Sequence, residues 1–469
     1  MKYALSIFGI LVLIIGSVLF FQFQVYSDQM EPTDGEFSYS QEIEIIDRED
    51  YLEIRHHYKN LPNRRISINW PEQIENLNCF EEVETSCNRL SEDLKEFKSG
   101  EIQHQSITYN MPLEGGLSSN PFLKDIFVTL KNGNVHTSTI HITTKSERNG
   151  KWITGLPLVG EESRSLVHYT MFSGPGPVKE LYYHPDVKLQ EQTELYSIYS
   201  KDPIPKELVK QLNEMNFIHN EHISIVHHSS SPFLQGERIL FTKDLSIQSL
   251  QEDVILTQLH TKYQFKDSPN WVSEVLASFL TDTNIGGEKA QQLTLTLKNQ
   301  MSESQLSEWK QLLKELKGKE ISGPILDEQL AEVFGNKVEY FTANLQTDKV
   351  SSFYFIDQRE VFVNSRLDDG VKVIFKDGQV FYSADELLTS LGYNVKLENN
   401  GYYVSGEIRQ YRFPMGYDFF VYNQRRYNTL SDPLKRIDGQ LFIEESWLQK
   451  IFFVEIEKKE DSISIHETT

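Results

Sequence analysis

One stretch of the chain has the spacing of a zinc-dependent active site but not its side chains. Thr257 and Thr261 lie one helical turn apart, Gln258 follows the first of them, and Glu274 comes later. A zinc that activates water for hydrolysis needs two imidazoles at that spacing, a carboxylate from a neighbouring helix and a glutamate as general base. Threonine offers no imidazole nitrogen and glutamine cannot accept a proton. The stretch therefore predicts no catalytic residue at Thr257, Gln258 or Thr261, and neither a metal nor another cofactor.

The phrase that follows carries a family resemblance. Its matching positions are Pro269, Trp271, Ser273, Glu274, Leu276, Ala277 and Phe279. They resemble the gluzincin (peptidase MA-like) zinc peptidases, in which a His-Glu-x-x-His helix precedes a phrase close to Pro-x-Trp-Leu-Ser-Glu-Gly-Leu-Ala-x-Tyr. The first motif aligns onto residues 257–261 and is degenerate there. The resemblance implies a gluzincin-like α+β domain that has lost its metal, a pseudo-metallopeptidase.

Four residues are candidates for the cleft of such a domain. His260 lies one position from the expected ligand, which on a helix turns it about 100° off the ligand face. We expect an ordinary, partly buried histidine there. The resemblance implies that Trp271 and Glu274 lie near the cleft floor. It also implies that the strand 238–241, with Leu240 at its edge, borders the substrate groove and pairs with an added peptide strand.

Two alternative functions remain open. The first is an active zinc metallopeptidase with atypical ligands, namely His260, Glu274 and a histidine of the cluster formed by His219, His222, His227 and His228. Isolated histidines at loop edges more often form hydrogen bonds or face solvent. The second is a structural spacer that holds a partner at a fixed height. The main prediction is a binding or scaffold protein for a peptide, protein or cell-wall glycan ligand.

Composition limits the partners. The chain has 469 residues, a net charge of -22, 39% hydrophobic residues and 12% aromatic residues. These values predict several well-packed domains and exclude binding to a phosphate backbone, and so to nucleic acid.

The first residues predict a membrane anchor. Residues 4–23 are apolar with few polar interruptions, and no charge lies between Lys2 and Asp28. A run of about 20 apolar residues spans a bilayer as a helix. We therefore predict a transmembrane signal anchor at 1–27 and a linker at 28–40. The protein would then be a single-pass protein of a Gram-positive cell membrane, with a cytoplasmic N-terminus and an extracellular body. A cleaved signal peptide is the alternative.

Residues 41–200 predict a β-sandwich-like domain, because short alternating segments are separated by Asn-Gly and Gly-Pro turns. Cys79 and Cys87 could pair in an oxidising compartment. A helical segment would instead hold them roughly 12 Å apart, too far for a disulfide.

Residues 201–345 predict the peptidase-like α+β domain. Helices are expected at 205–215, 251–263 and 271–280, with strands at 223–226 and 238–241. A further helix at 302–316 is amphipathic and begins with a Ser302/Gln305 capping box.

Residues 350–469 predict a repeated small α+β module. The order of strand, Asp-Gly turn, strand, short helix and hairpin occurs twice. This order resembles the copper amine oxidase N-terminal-like domain, or stalk domain, of surface proteins, although no copper ligands are seen. Its dense aromatic residues could stack on sugars, but they more often form cross-strand pairs and core. They are Tyr402, Tyr403, Tyr411, Phe413, Tyr417, Phe419, Phe420, Tyr422 and Tyr427.

Overall fold

A computed structural model describes residues 35–81, 85–119, 121–145, 150–228 and 236–468 of the chain. These residues form 31 strands and nine α-helices, so the described chain is mostly sheet. Contacts within the chain divide it into two compact units, Met1–Thr261 and Lys262–Thr469.

The predicted membrane anchor requires correction. Residues 1–34, and with them the expected spanning helix at 4–23, lie outside the described residues. In the part of the chain that is described, no helix has both the length and the apolar character needed to cross a membrane. The predicted fold class with an N-terminal transmembrane helix, and the predicted single-pass location, are therefore not supported. The fold class becomes a mostly-β chain with helices in both units.

The first unit contains seventeen strands and two helices in its described part. The strands are β1 Phe37–Asp47, β2 Tyr51–Lys59, β3 Ile66–Asn69, β4 Glu75–Cys79, β5 Glu96–Phe97, β6 Gln105–Pro112, β7 Phe122–Lys124, β8 Thr129–Leu130, β9 Gly133–Lys145, β10 Lys151–Thr154, β11 Leu158–Ser163, β12 Val167–Pro175, β13 Glu180–His184, β14 Lys188–Gln192, β15 Tyr196–Ser200, β16 Ile223–His227 and β17 Ile239–Thr242. The helices are α1 Lys206–Asn213 and α2 Ile247–Lys262.

A seven-stranded sheet dominates this unit, in the order β11-β12-β9-β1-β2-β6-β4. Alternate residues of β1 are buried, as expected for a sheet with one face on a core. That core includes Ile43, Ile54 and Ile140 from the large sheet, and it also includes Ile68 of β3 and Leu181 of β13. The strands β3 and β13 belong to two three-stranded sheets, β5-β3-β8 and β10-β13-β7. The strands of this region are thus arranged around one core.

Among the described residues around the two cysteines, none is helical. Cys79 ends β4, and its Cα lies 5.9 Å from that of Cys87, with which it forms a disulfide. Nearby, the buried Arg89 donates hydrogen bonds to four backbone carbonyls, those of Lys98, Ile102, Pro62 and Arg64. Arg89 therefore joins three loops without a carboxylate partner.

A second sheet, β14-β15-β16-β17, carries both helices of the first unit. Its last three strands are parallel. Leu208 of α1 and Leu250 and Val254 of α2 share a buried cluster with Ile225 of β16 and Leu240 of β17. Because α2 packs through this cluster, it belongs with the first unit up to Thr261, and the predicted domain 201–345 is divided there.

The second unit begins with five helices: α3 Asn270–Thr281, α4 Glu288–Gln300, α5 Glu303–Glu315, α6 Gly323–Phe334 and α7 Tyr340–Leu345. The predicted capping box of α5 is present, since the Ser302 side chain accepts from the Gln305 backbone and the Gln305 side chain accepts from the Ser302 backbone. The helices pack through large aromatic residues, with Phe279 edge-on to the fully buried Trp309.

Fourteen strands and two helices complete this unit among its described residues. The strands are β18 Phe355–Ile356, β19 Glu360–Val363, β20 Arg366–Leu367, β21 Val373–Lys376, β22 Gln379–Ser383, β23 Asn394–Glu398, β24 Gly401–Ser405, β25 Gln410–Phe413, β26 Phe419–Tyr422, β27 Arg425–Asn428, β28 Leu434–Ile437, β29 Gln440–Glu444, β30 Val454–Lys458 and β31 Ser462–Glu467. The helices are α8 Ala384–Ser390 and α9 Glu445–Phe452.

The repeat predicted from the sequence is visible in this part of the chain. The first copy runs β21-β22-α8-β23-β24 and the second runs β28-β29-α9-β30-β31. The first two strands of each copy share one sheet, β18-β21-β22-β29-β28, in which β22 pairs with β29. Each copy turns at an Asp-Gly pair in which both residues have positive φ, Asp377-Gly378 and Asp438-Gly439. This is the turn that matches the twist of a two-residue hairpin.

Candidate functional site

The outward face of α2 lines a pocket of about 480 Å³ in the first unit. Asp253, Leu256, Thr257, His260 and Thr261 line it from the helix, at the spacing of one helical face. Lys179, Gly236 and Glu237 line it from two other segments. The opposite face of the helix is buried through Leu250, Val254 and Leu259. The helix is therefore held by its apolar side and presents its polar side to the pocket.

The structure brings His260 together with Thr257 and Thr261, although the helix turns about 100° between neighbouring residues. His260 lies at the exposed rim, and desolvation of its imidazole lowers its pKa. At neutral pH the ring is therefore uncharged and can both donate and accept a hydrogen bond.

Asp253 gives the pocket its negative character. Desolvation, followed by the charge of Asp244, raises the pKa of the Asp253 carboxyl. Across the pocket, Lys179 and Glu237 form an ion pair with 2.5 Å between Nζ and Oε2. That pair is self-neutralising, which leaves Asp253 as the acid that a cationic ligand would stabilise.

Gln258 does not line the pocket. Its side chain is buried, and its Oε1 accepts a hydrogen bond from the Ile218 N–H at 2.9 Å. Its Nε2 donates to the carbonyl of His219 at 3.3 Å. An amide has both a donor and an acceptor, which these two neighbouring backbone groups require. Gln258 therefore connects α2 to the segment that contains Ile218 and His219.

Thr261 is also engaged. Its hydroxyl donates to the Gln258 carbonyl at 2.7 Å and lies 3.2 Å from Nε2 of His219. The Nδ1 of His219 accepts from the Glu221 N–H, so Nε2 carries the proton and donates to Thr261. His219 is thus placed against α2 by hydrogen bonds.

The remaining histidines of the predicted cluster face in other directions. His222 is buried, with Nδ1 donating to the Glu194 carbonyl and Nε2 2.9 Å from the Ser197 hydroxyl. Burial lowers the pKa of His222 to about 4, so it is neutral. His227 contacts the Ser200 hydroxyl at 3.1 Å. Within the described ranges, no group of three or more His, Cys, Asp or Glu side chains is placed to hold a metal ion.

Leu240 is a core residue. It has no exposed surface, and neither does Ile239 beside it. The strand β17 is the last in its sheet, yet all four of its residues are buried. As described, its edge therefore offers no exposed backbone to an added peptide strand.

Several contacts that were not predicted from the sequence hold the start of β17. Arg238 is buried and donates from Nε to the His222 carbonyl and from Nη1 to the carbonyls of Pro175 and Pro177. Burial lowers the pKa of this guanidinium to about 10. Glu180 accepts hydrogen bonds from the backbone N–H groups of Glu237 and Arg238. A lone Arg or Glu in a sequence gives no signal for such contacts.

Glu274 and Trp271 have contacts of their own in the second unit. The Oε2 of Glu274 accepts from the Gly287 N–H at 3.0 Å, at the N-terminus of α4. A carboxylate is favourable there because it faces the positive end of the helix dipole. The Trp271 ring stacks on Phe341 with 6.2 Å between ring centroids. The Lys289 ammonium lies 5.0 Å from the centroid of the Trp271 ring.

Most of the aromatic residues of the C-terminal module are paired across strands. Tyr402, Tyr411 and Phe413 are buried in the core. Phe420 stacks on Phe413 and on Tyr427, with 5.7 Å and 5.4 Å between centroids. These contacts fit the interpretation of cross-strand pairs and core.

Asp253 and the second wall of the pocket were not predicted from the sequence. A signal for Asp253 was present, because it precedes Thr257 by one turn and His260 by two on the same helical face. Lys179, Gly236 and Glu237 gave no such signal, since only the tertiary fold brings them to α2.

No protein-family model matches this chain, and no curated protein matches it.

Among solved structures, the chain is similar to M1 zinc metallopeptidases. A mutant enzyme from Deinococcus radiodurans gives a TM-score of 0.38 and 10% sequence identity over 64% of this chain and 90% of that chain. A two-domain M1 zinc metallopeptidase mutant bound to L-arginine gives 0.38 and 9%, with the same coverage. Another structure of the Deinococcus radiodurans enzyme gives 0.35 and 11% over 63% of this chain and 89% of that chain. These values amount to a distant structural likeness, and they carry no argument about activity.

Proposed function

We propose that this chain is a binding protein whose α2 pocket holds a cationic group of a peptide, and that its peptidase-like helix pair no longer catalyses hydrolysis. The observation that carries this proposal is the polar face of α2, with the desolvated Asp253 one turn from Thr257 and two turns from His260. An ammonium group in this pocket would offset the cost of burying the Asp253 carboxylate.

The contacts of the degenerate positions support the binding role. Gln258 connects α2 to a loop by a hydrogen bond, and the Thr261 hydroxyl accepts a hydrogen bond from His219. Glu274 accepts a hydrogen bond at the N-terminus of α4. These contacts support a structural role for each of the three side chains. The C-terminal module, with its two copies in one sheet, would serve as a spacer or scaffold, as in the stalk domain that it resembles.

The pocket proposal is tested by calorimetric titration of the whole chain with three short peptides. One is acetylated and contains a lysine, one has a free amino terminus and no lysine, and one is acetylated without lysine. We expect saturable binding of a peptide that carries an amine and none of the neutral peptide. The first two peptides distinguish a side-chain ammonium from an amino terminus.

The matched variants are Asp253→Asn and Glu101→Gln. Asp253→Asn should weaken binding about tenfold or more, because it removes the charge that pairs with the amine. Glu101 is an exposed acid outside the pocket, so Glu101→Gln should leave the affinity unchanged. Equal binding of the neutral peptide, or an Asp253→Asn variant with unaltered affinity, would overturn the proposal.

The zinc content of the protein separates binding from catalysis. After zinc loading and desalting, we expect no stoichiometric zinc on the native chain. The double variant Thr257→His and Thr261→His is the positive control, because it places two imidazoles one turn apart on the pocket face. One tightly held zinc on the native chain, with chelator-sensitive cleavage, would instead establish the active peptidase.

A further inference from the structure

A second pocket lies in the β-rich part of the first unit, apart from α2. It has a volume of about 530 Å³, within the roughly 300–1,000 Å³ typical of small-molecule sites. Met111 and Phe127 form apolar parts of its lining, while Asn69, Gln73 and Asp125 are among its polar side chains. The indole of Trp70 completes the lining.

Trp70 is held in place on two sides. Its Nε1–H donates to the Leu94 carbonyl at 2.6 Å, and its ring meets Tyr109 edge-on, with 5.9 Å between centroids and 89° between planes. The Tyr109 hydroxyl donates in turn to the Ile126 carbonyl at 3.1 Å, which holds another lining residue. One buried tyrosine thus positions both the indole and the opposite wall. Such preorganisation reduces the entropic cost of binding a ligand.

Asp125 has an uncommon backbone conformation. Its φ of 52° lies in the left-handed region, which costs a non-glycine residue free energy. The conformation is fixed by a hydrogen bond from the Asp125 N–H to the Lys179 carbonyl at 3.0 Å. Backbone strain of this kind clusters at ligand sites, where it aims a side chain.

The polar side chains of the lining are available to a ligand. Among the described residues, the side chains of Asn69, Gln73 and Asp125 form no hydrogen bond with another residue. They supply amide donors, amide acceptors and a carboxylate around a fixed aromatic ring. This combination suits a ring-shaped ligand with apolar C–H faces and hydroxyl groups at its rim.

We propose that the Trp70 pocket binds a saccharide, with one sugar ring stacked on the indole and its hydroxyl groups bonded to Asn69, Gln73 and Asp125. A carboxylate accepts hydrogen bonds from hydroxyl groups, and an amide both donates to them and accepts from them. Neither side chain requires a charged ligand. This proposal does not rest on the peptide pocket proposed on α2, so either proposal can hold without the other.

The test is calorimetric titration of the whole chain with cellotriose, chitotriose and maltotriose. At least one trisaccharide should bind saturably. Trp70→Leu, which removes the aromatic face and keeps an apolar side chain, should weaken that binding about tenfold or more. Gln73→Ala and Asp125→Asn should each weaken it several-fold. Asparagine is chosen because it tolerates a positive φ.

The matched control is Trp447→Leu. Trp447 is also a half-buried indole that donates one hydrogen bond, to the Ser431 hydroxyl, but it lies in the other unit. Trp447→Leu should leave trisaccharide affinity unchanged. If Trp70→Leu does not fold, by its circular dichroism, the exposed Gln73→Ala variant decides. The proposal is overturned if no trisaccharide binds, or if trisaccharide binding is unchanged in both Trp70→Leu and Gln73→Ala. It is also overturned if the pocket binds peptides and not sugars.

Discussion

At the residue scale, Gln258 cannot act as a general base, but its amide satisfies two backbone groups. Its amide meets one backbone donor and one backbone acceptor, the Ile218 N–H and the His219 carbonyl, and it has almost no exposed surface. An ionised glutamate, the residue of the resembled motif, has no donor for the His219 carbonyl. Its charge would also be buried without a cationic partner.

We therefore predict that Gln258→Glu lowers the free energy of unfolding by about 1–3 kcal/mol. The control is Gln251→Glu, the same chemical change on the same helix at a partly exposed position. Urea denaturation of the two variants measures the difference. Equal stabilities would show that the amide donor at position 258 contributes nothing.

At the scale of elements, local patterns were predictable and burial was not. The two strand-turn-strand-helix-hairpin copies follow from alternation and from Asp-Gly pairs, which act within a few residues. The α5 capping box is equally local. By contrast, the burial of Leu240 depends on packing against α1 and α2, which the pattern of its own strand does not show. The pairing of Cys79 with Cys87 stayed open in the sequence, because a disulfide is possible there only if the segment between them is not a helix.

The two Asp-Gly turns permit a test of the repeated module. Gly439 has a φ of 88°, and a Cβ there would meet nothing within 4 Å, so any cost of a side chain comes from the backbone. Gly439→Ala should destabilise the second unit by about 1 kcal/mol. Gly439→Asn, which tolerates positive φ, should cost less. Urea denaturation of both variants measures the difference, and identical midpoints for alanine and asparagine would contradict the turn assignment.

At the scale of the whole molecule, the pattern of charged and apolar residues in the sequence does not determine which segments pack together. The position of α2 in the first unit and the pocket on its polar face both follow from packing on the parallel strands. No periodicity in the sequence encodes which distant segments, such as Lys179 and Glu237, complete that pocket. For the same reason, two histidines that look ordinary in the sequence are fully enclosed by the fold.

These histidines predict how stability depends on pH. Burial lowers the pKa of His56 to about 3 and that of His222 to about 4, from an ordinary value of 6.5. Their uncharged rings hydrogen-bond to Gln41 and to the Glu194 carbonyl. Because the folded pKa is depressed, the unfolded chain binds protons first as pH falls. The stability is therefore present above pH 6.5 and is lost progressively below it.

Between pH 7 and pH 5, each histidine should cost about 2 kcal/mol of unfolding free energy. His222→Gln removes one of the two titrating groups while keeping a donor and an acceptor. The variant should be less stable than the native chain at pH 8, and the gap should narrow by about 2 kcal/mol at pH 5, as measured by urea denaturation at both pH values. If the difference in unfolding free energy is the same at both pH values, His222 is not held neutral in the folded chain. Its burial would then not link folding to the release of a proton.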